Sequence, residues 1–353
     1  MPNLLDTSRP IRPGEELDLP GLEAYLKASI PDLHGPLTVE QFPSGFSNLT
    51  YLLRVGDREL VLRRPPFGSK VKAAHDMGRE FRVLSALHSR YPVPQPLALC
   101  DSPEVMGAQF YVMERLRGTI IRGKRPEGFS ASPETVRAAC VVFVDNFAAL
   151  HALDYESVGL GELRKEGSYV ERQVLGWIKR YEGSKTDDIP MIEQTAQWLR
   201  ERIPADTGAV IVHNDYKFDN VMLAPDDLTK IIGVLDWEMC TVGDPLMDLG
   251  TVLSYWTQES DAALGIVQSF LTMEPGAMTR ADVAVRYAEV TGRDISNLQF
   301  YYIFALFKLA VIVQQIYYRY KQGLTKDERF APLIFMVGAL GNKAVECIEG
   351  GKI

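Results

Sequence analysis

The stretch His213-Asn214-Asp215-Tyr216-Lys217-Phe218-Asp219-Asn220 decides how the rest of the chain is read. It follows an apolar strand, Val210-Ile211-Val212, and precedes another, Val221-Met222-Leu223. Sixteen residues after Asn220 comes Leu235-Asp236-Trp237, at the end of the apolar run Ile231 to Leu235. An Asp and an Asn often do no more than turn the chain between strands. Here the residue types also make chemical sense together. A loop leaving a strand aims Asp215 at a hydroxyl and Asn220, five residues on, at a cation, which Asp236 approaches from the neighbouring hairpin.

The pattern is H-x-D-x-x-x-x-N followed by a metal-binding Asp after a strand, as phosphotransferases of the protein-kinase kind use. Moving a γ-phosphoryl group needs a carboxylate to orient the attacking hydroxyl and accept its proton. It also needs oxygen ligands for Mg²⁺ on the phosphates. Asp215 is assigned the first task, and Asn220 and Asp236 the second. Lys217 is placed near the transferring phosphoryl. With five histidines in the chain, the spacing arises by chance about once in a hundred such chains. His213 reads as structural, packing under the loop. Asp244 reads as a helix cap and Asp248 as a brace for the loop backbone.

Upstream the chain has the period of a sheet. Leu37 to Phe42, Leu49 to Val55 and Glu59 to Arg63 are expected strands joined by short turns, and Pro94 to Leu99 and Phe110 to Leu116 are two more. A helix is expected from Ala73 to Arg90, and a shorter one before Pro31. On the third strand Arg63 is assigned to the nucleotide phosphates, held by Glu80 of the following helix. Kinases usually carry Lys there, and Arg differs in reach and geometry. Alternation puts Arg64 on the opposite strand face, and the apolar neighbours do not settle which face is inward. The turn containing Ser44, Gly45 and Ser47 stands where a phosphate-covering loop would be, with one glycine instead of three. Met113 to Leu116, with Glu114 and Leu116, is the expected connector beside a nucleotide base.

The residues Gly118 to Ser130 read as a linker, Ser132-Pro133 opens a helix running to about Leu153, and most of the remaining sequence has helical period. The expected fold class is α+β: a bilobal protein-kinase-like fold with a five-stranded antiparallel sheet plus helix in the first lobe and a mostly helical second lobe. The domains are drawn as 1–116, a nucleotide-binding lobe with its hinge at 113–117, and 117–353, carrying the catalytic loop and acceptor site.

The chain has 353 residues, 46% apolar and 24% charged, as a globular protein does. A net charge of -8 offers no global basic field for nucleic acid or an anionic membrane. Cys100, Cys140, Cys240 and Cys347 have no metal or disulfide-framework spacing, which reads as a reduced, cytoplasmic chain. The apolar run Tyr301 to Val313 is broken by Lys308 and falls short of the ~20 residues needed to span a bilayer. A buried helix is expected, and Lys308 stands out in it because an unpaired buried cation is expensive.

His213 to Asn220, Leu235 to Glu238 and Gly243 to Leu249 resemble the aminoglycoside phosphotransferase family, over about Pro10 to Leu340. Tyr169 to Gln173 and Tyr181 to Thr186 resemble a narrower branch, the phosphotransferase-like domain fused to or encoded beside acyl-CoA dehydrogenases. The resemblance implies a kinase using ATP and Mg²⁺ on a small acceptor, with an acyl-CoA dehydrogenase as associated partner. Asp236-Trp237-Glu238 lacks the Gly of D-F-G, which fits a constitutively assembled small-molecule kinase. Between Ile295 and Thr325 there is no Asp or Glu but many aromatic and basic residues, which suits an apolar or anionic acceptor better than a polycation. The first expectation is a hydroxylated acyl group or acyl thioester. The alternatives are an aminoglycoside or choline-type acceptor, and a non-catalytic nucleotide-binding module partnering an acyl-CoA enzyme.

Overall fold

The computed structural model describes residues 6–43, 48–67, 76–259, 261, 269–325, 327–351 and 353. The chain divides into two compact units. The first holds the described residues up to Ile120 together with Asn220–Cys240, and the second holds Ile121–Asp219 and Thr241–Ile353.

The first unit is built on β1 (Leu37–Gln41), β2 (Leu49–Val55), β3 (Arg58–Arg64), β4 (Pro96–Cys100) and β5 (Phe110–Glu114). They form one antiparallel sheet in the order β1-β2-β3-β5-β4. Helix α1 (Leu19–Ser29) is capped by Asp18 and buries Leu22 and Leu26 against Leu53, Leu62, Phe110 and Val112 of one sheet face. Helix α2 (Met77–Leu87) begins at Asp76, whose side chain accepts from the Arg79 N–H, and buries Met77, Glu80, Val83, Leu84 and Leu87. It ends three residues before Arg90. Residues 73–75, where the sequence puts its start, lie outside the described residues.

A second, three-stranded sheet joins β6 (Thr119–Ile120) to β8 (Val221–Ala224) and β9 (Asp227–Val234). The compact units do not follow the expected division at 116/117. The stretch read as a linker contributes a strand, and its pairing with β8 brings the Asn220–Cys240 hairpin into the first unit. Gly118 permits the approach, since a Cβ there would lie 2.4 Å from Met222 and 2.5 Å from the Leu223 carbonyl.

The second unit comprises α3 (Pro133–Ala152), α4 (Tyr169–Ser184), α5 (Pro190–Glu201), α6 (Pro245–Tyr255), α7 (Arg280–Thr291), α8 (Leu298–Lys321) and α9 (Leu333–Gly350). A small antiparallel pair, β7 (Val210–Val212) with β10 (Thr241–Gly243), is set among them. Ser132 caps α3 ahead of its N1 proline, as the sequence implied. The apolar run around Lys308 lies in a 24-residue helix, longer than expected, and α3, α8 and the segment Glu328–Gly350 are each long and apolar enough to cross a membrane. For α8 the apolar content has another explanation: 78% of its most apolar window is buried inside the protein, much of it against α6 and α9. At Gly250 of α6 a Cβ would stand 2.5 Å from the Tyr301 carbonyl, so the two backbones touch.

Candidate active site

The loop from Asp215 to Asp219 alternates between outward and buried residues. Tyr216 and Phe218 are buried, whereas Asp215, Lys217 and Asp219 reach partway to solvent. The two aromatics are the loop's anchors. Phe218 stacks on Phe143 of α3 at 4.4 Å between centroids, and Tyr216 packs on Phe143 and Phe147 at 4.6 and 4.9 Å. The Tyr216 hydroxyl donates to the Phe143 carbonyl and Asn146 Oδ1 at 3.2 and 3.0 Å. Lys217, between these anchors, donates through Nζ to Asp215 Oδ1 at 3.0 Å. Tyr255 of α6 also bonds Asp215. Its own desolvation, then that carboxylate's charge and hydrogen bond, push the Tyr255 hydroxyl well above its ordinary range.

The backbone of the loop is held from beneath. Asp248 is fully buried and accepts from the N–H of His213 through Oδ2 and of Asn214 through Oδ1, both at 2.7 Å. His151 Nε2 lies 3.2 Å from Asp248 Oδ2, and its Nδ1 lies 2.7 Å from the Tyr287 hydroxyl. Burial alone would raise the Asp248 carboxyl, but His151 and the backbone donors hold it below the usual carboxylate range. Asp244 caps α6 through the Leu246 and Met247 N–H groups, as read from the sequence. His213 is completely buried under the loop.

In the first unit Arg63 lies between two carboxylates, with Nη1 3.1 Å from Glu80 Oε1 and Nη2 2.9 Å from Asp236 Oδ1. Desolvation would lower the Arg63 guanidinium, yet Glu80, Tyr111 and Asp236 keep it well above its ordinary range. Burial pushes the Glu80 carboxyl up, against the pull of Arg63. Arg64 points elsewhere, its guanidinium 3.7 Å from the Phe67 ring centroid. That separates the two arginines, which the sequence alone left open. Asp236 is positioned by Trp237, a fully buried residue whose Nε1 donates to the Val234 carbonyl and whose ring packs edge-on to Tyr91.

Strand pairing brings the two expected metal ligands near one another. Val221 pairs with Val234, and the Leu235 N–H donates to the Asn220 carbonyl at 2.8 Å, one residue before Asp236. An amide oxygen and a carboxylate are hard donors that fit Mg²⁺, which takes few protein ligands and keeps water and phosphate oxygens. Among the described residues no group of three or more His, Cys, Asp or Glu side chains forms a metal cage. Glu114 is tied to Gln95 through both its N–H, at 2.9 Å, and its carboxylate, at 2.8 Å. Leu116 covers Gly233, where a Cβ would come within 2.3 Å of Leu116 Cδ1. Ser44, Gly45 and Ser47 lie outside the described residues.

Sequence reasoning missed His151, Tyr169, Tyr255 and Asp219. The Tyr169 hydroxyl, at the start of α4, donates to Asn214 Oδ1 at 3.1 Å. Gly243 makes room for that ring, since a Cβ would meet it at 2.6 Å. Tyr169 also lines a cleft of about 570 Å³ in the second unit, with Arg164, Lys165, Arg172, Asp206 and Gly243 on its walls. Asp206 is engaged at the start of α4, accepting from the Tyr169 and Val170 N–H groups at 2.7 and 3.1 Å. Asp219 keeps one carboxylate oxygen buried without a hydrogen bond, and burial pushes this carboxyl up to about 6. The alternation of the loop was the one visible signal for Asp219.

Fold and site together define a kinase-like phosphotransferase. The chain belongs to the phosphotransferase enzyme family (APH), whose family model matches residues 38–276. It is 36% identical over 326 residues to the rat acyl-CoA dehydrogenase family member 11, covering 90% of this chain and 42% of that protein. It is 33% identical over 305 residues to the Arabidopsis thaliana probable acyl-CoA dehydrogenase IBR3, covering 81% and 36%. The chain thus spans about two fifths of the length of the curated relatives it matches. Among solved structures, a protein of Ralstonia eutropha JMP134 assigned to the aminoglycoside phosphotransferases superposes with a TM-score of 0.78 at 30% identity, covering 94% of this chain and 99% of the other. Choline kinase from Cryptosporidium parvum, at 13% identity and a TM-score of 0.64 over 95% and 97%, shares the fold.

Proposed function

We propose that the chain transfers the γ-phosphoryl group of ATP to a hydroxyl of a small acceptor, a hydroxylated acyl group or acyl thioester in the first place. The observation that carries this reading is Asp215, offered from a loop whose backbone is fixed by the buried Asp248 and whose carboxylate is flanked by Lys217 and Tyr255. Asp215 accepts the acceptor's hydroxyl proton as its oxygen attacks the γ-phosphorus. The bond from that phosphorus to the β-phosphate oxygen breaks, and ADP leaves with the electron pair. Lys217 holds positive charge beside the carboxylate that orients the hydroxyl. Asn220 and Asp236 would hold Mg²⁺, which offsets phosphate charge when bound. Arg63, kept charged by Glu80, serves the nucleotide phosphates. Structures sharing this fold hold ADP in one case and GDP in another, which supports a purine nucleotide as donor.

Charge and kinship support this acceptor class. The cleft beside Tyr169 carries Arg164, Lys165 and Arg172 against the carboxylates of Glu166 and Asp206, the latter already engaged at a helix start. Such a wall favours an anionic or apolar molecule over a polyamine. The relatives named as acyl-CoA dehydrogenases support an acyl-CoA enzyme as the setting. Arg63 in the usual place of Lys favours, as a second reading, a nucleotide-binding module without turnover. One experiment separates them: transfer from ATP to a hydroxyacyl thioester, with choline and kanamycin as control acceptors, for the wild-type chain and Asp215→Asn. Transfer should fall at least about a hundredfold in the variant, with the thermal shift by Mg-ATP retained. Full activity in Asp215→Asn sinks the mechanism, and a wild-type thermal shift without transfer favours the module.

A further inference from the structure

Lys308 is the residue of α8 that burial alone does not explain. It is 5% exposed within a helix whose neighbouring positions Phe304, Ala305, Leu306, Phe307 and Val311 are also buried. Among the described residues no carboxylate lies within ion-pair distance of its ammonium. Its Nζ donates to the Asn214 carbonyl at 3.2 Å and stands 5.9 Å from the centroid of Trp177. Desolvation lowers the ammonium's pKa, against the charges of Asp215 and Asp248. A buried cation held by one neutral carbonyl is a poor device for stability, and an apolar side chain of the same length would serve the core at least as well.

The bond it makes is at the centre of the loop. Asn214 has φ 65, a left-handed conformation, and its polar groups are held from three helices. Asp248 of α6 takes its N–H, Tyr169 of α4 donates to its side-chain oxygen, and Lys308 of α8 donates to its carbonyl. That carbonyl belongs to the peptide unit whose N–H is that of Asp215, and this N–H donates to His213 Nδ1 at 3.3 Å. Both ends of the 214–215 peptide are therefore gripped, one of them by a charged donor. Rotation of this plane would swing the Asp215 Cα–Cβ bond away from its present direction.

We infer that Lys308 is a positioning residue, fixing the plane of the Asn214–Asp215 peptide and through it the aim of the Asp215 carboxylate. The inference rests on the phosphotransferase reading for its consequence on turnover, but the grip itself is independent of it. The experiment compares wild type with Lys308→Met, which keeps length and apolar contact and removes the charged donor. The expected result is a ten- to hundredfold lower kcat with the KM for Mg-ATP changed less than twofold. The melting temperature should be unchanged or higher, and amide hydrogen exchange across 213–217 at least tenfold faster. Wild-type kcat, or wild-type exchange in that segment, overturns the inference. So does a methionine variant that fails to fold or melts lower in proportion to its lost turnover, since Lys308 would then be a folding requirement. Should the wild-type chain transfer no phosphoryl group to any acceptor, the phosphotransferase reading falls, and the exchange measurement alone still decides what Lys308 does.

Discussion

Replacing Asp248 by Asn tests whether the loop is held as the structure shows. The carboxylate accepts from the His213 and Asn214 N–H groups at 2.7 Å each and lies 3.2 Å from His151 Nε2, all without exposure to water. An amide of the same shape keeps one accepting oxygen and turns an NH₂ group toward the other donor. One of the two backbone N–H groups is then orphaned in a dry site, which costs about 1–3 kcal/mol. The bond that survives loses its charge assistance, which brings the total to about 2–4 kcal/mol. Asp248→Ala orphans both donors, and loss of a buried charged partner costs about 3–5 kcal/mol. Urea unfolding should order the midpoints wild type, Asn, Ala, with phosphoryl transfer falling in the same order. The pH dependence adds a second reading. Since the folded protein holds this carboxyl below its ordinary range, its stabilisation is complete above about pH 4 and is lost as pH falls through the lower, folded value. The gap between wild type and Asp248→Asn should therefore narrow in acid. A midpoint for Asp248→Asn within about 0.5 kcal/mol of wild type, the range of an inconsequential surface change, would refute the brace.

Arg63→Lys should be disruptive despite preserving charge. A lysine ammonium is a point charge and cannot match the planar fork that reaches Glu80 and Asp236 from two nitrogens. Glu80 is 1% exposed at its side chain, so a weakened pair should lower stability by about 1–3 kcal/mol by the cost of an unsatisfied buried group. Urea titration checks this, and an unchanged midpoint would show the pair to be incidental. Gly250→Ala adds one methyl where the α8 backbone lies 2.5 Å away. Separation of α6 from α8 should cost about 1–3 kcal/mol, as overpacking does, and lower transfer because these helices carry Asp248 and Lys308. A stable, fully active Gly250→Ala would show that the contact yields freely.

The parts of the fold legible in the sequence were those with local causes. The period of two in Leu49 to Val55, the Gly56-Asp57 turn and the Ser132-Pro133 helix start each state their structure within a few residues, and β2, β3 and α3 follow them. Strand β6 was not legible, because two residues, Thr119 and Ile120, become a strand only when β8 arrives from a hundred residues downstream. The site divides the same way. The loop Asp215 to Asn220 and the Asp236 motif are written as spacing, and Asp248 was legible as a carboxylate at a helix start close to them. His151, at the end of an ordinary amphipathic run, has no mark in its own surroundings, and Tyr169 stood out only within a run that resembles a family branch, with nothing to show its hydroxyl's task. Their roles come from side chains distant in sequence, Asp248 and Tyr287 for His151 and Asn214 for Tyr169, so neither role is written locally.

Asn214 and Asp236 show one construction used twice. Each stands two residues beyond the last residue of an apolar strand, Val212 and Val234, and each has a left-handed backbone, with φ 65 and 67. The only other described non-glycine residue with positive φ is Asp32. Asn and Asp enter this region more readily than other side-chain-bearing residues, yet the conformation still costs of order 1 kcal/mol and persists where surroundings over-determine it. Glycine would remove that cost, so the side chains must supply something glycine cannot. At Asn214 it is an oxygen for the Tyr169 hydroxyl, which leaves the backbone N–H and carbonyl to Asp248 and Lys308. At Asp236 it is the carboxylate that Arg63 grips. The strained turn stops the strand and redirects the chain within two residues, and the buried partners choose one direction out of the several a glycine would sample. That is preorganisation at both ends of the proposed reaction, the base that follows Asn214 and the oxygen donor at Asp236, bought with strain and a buried cation.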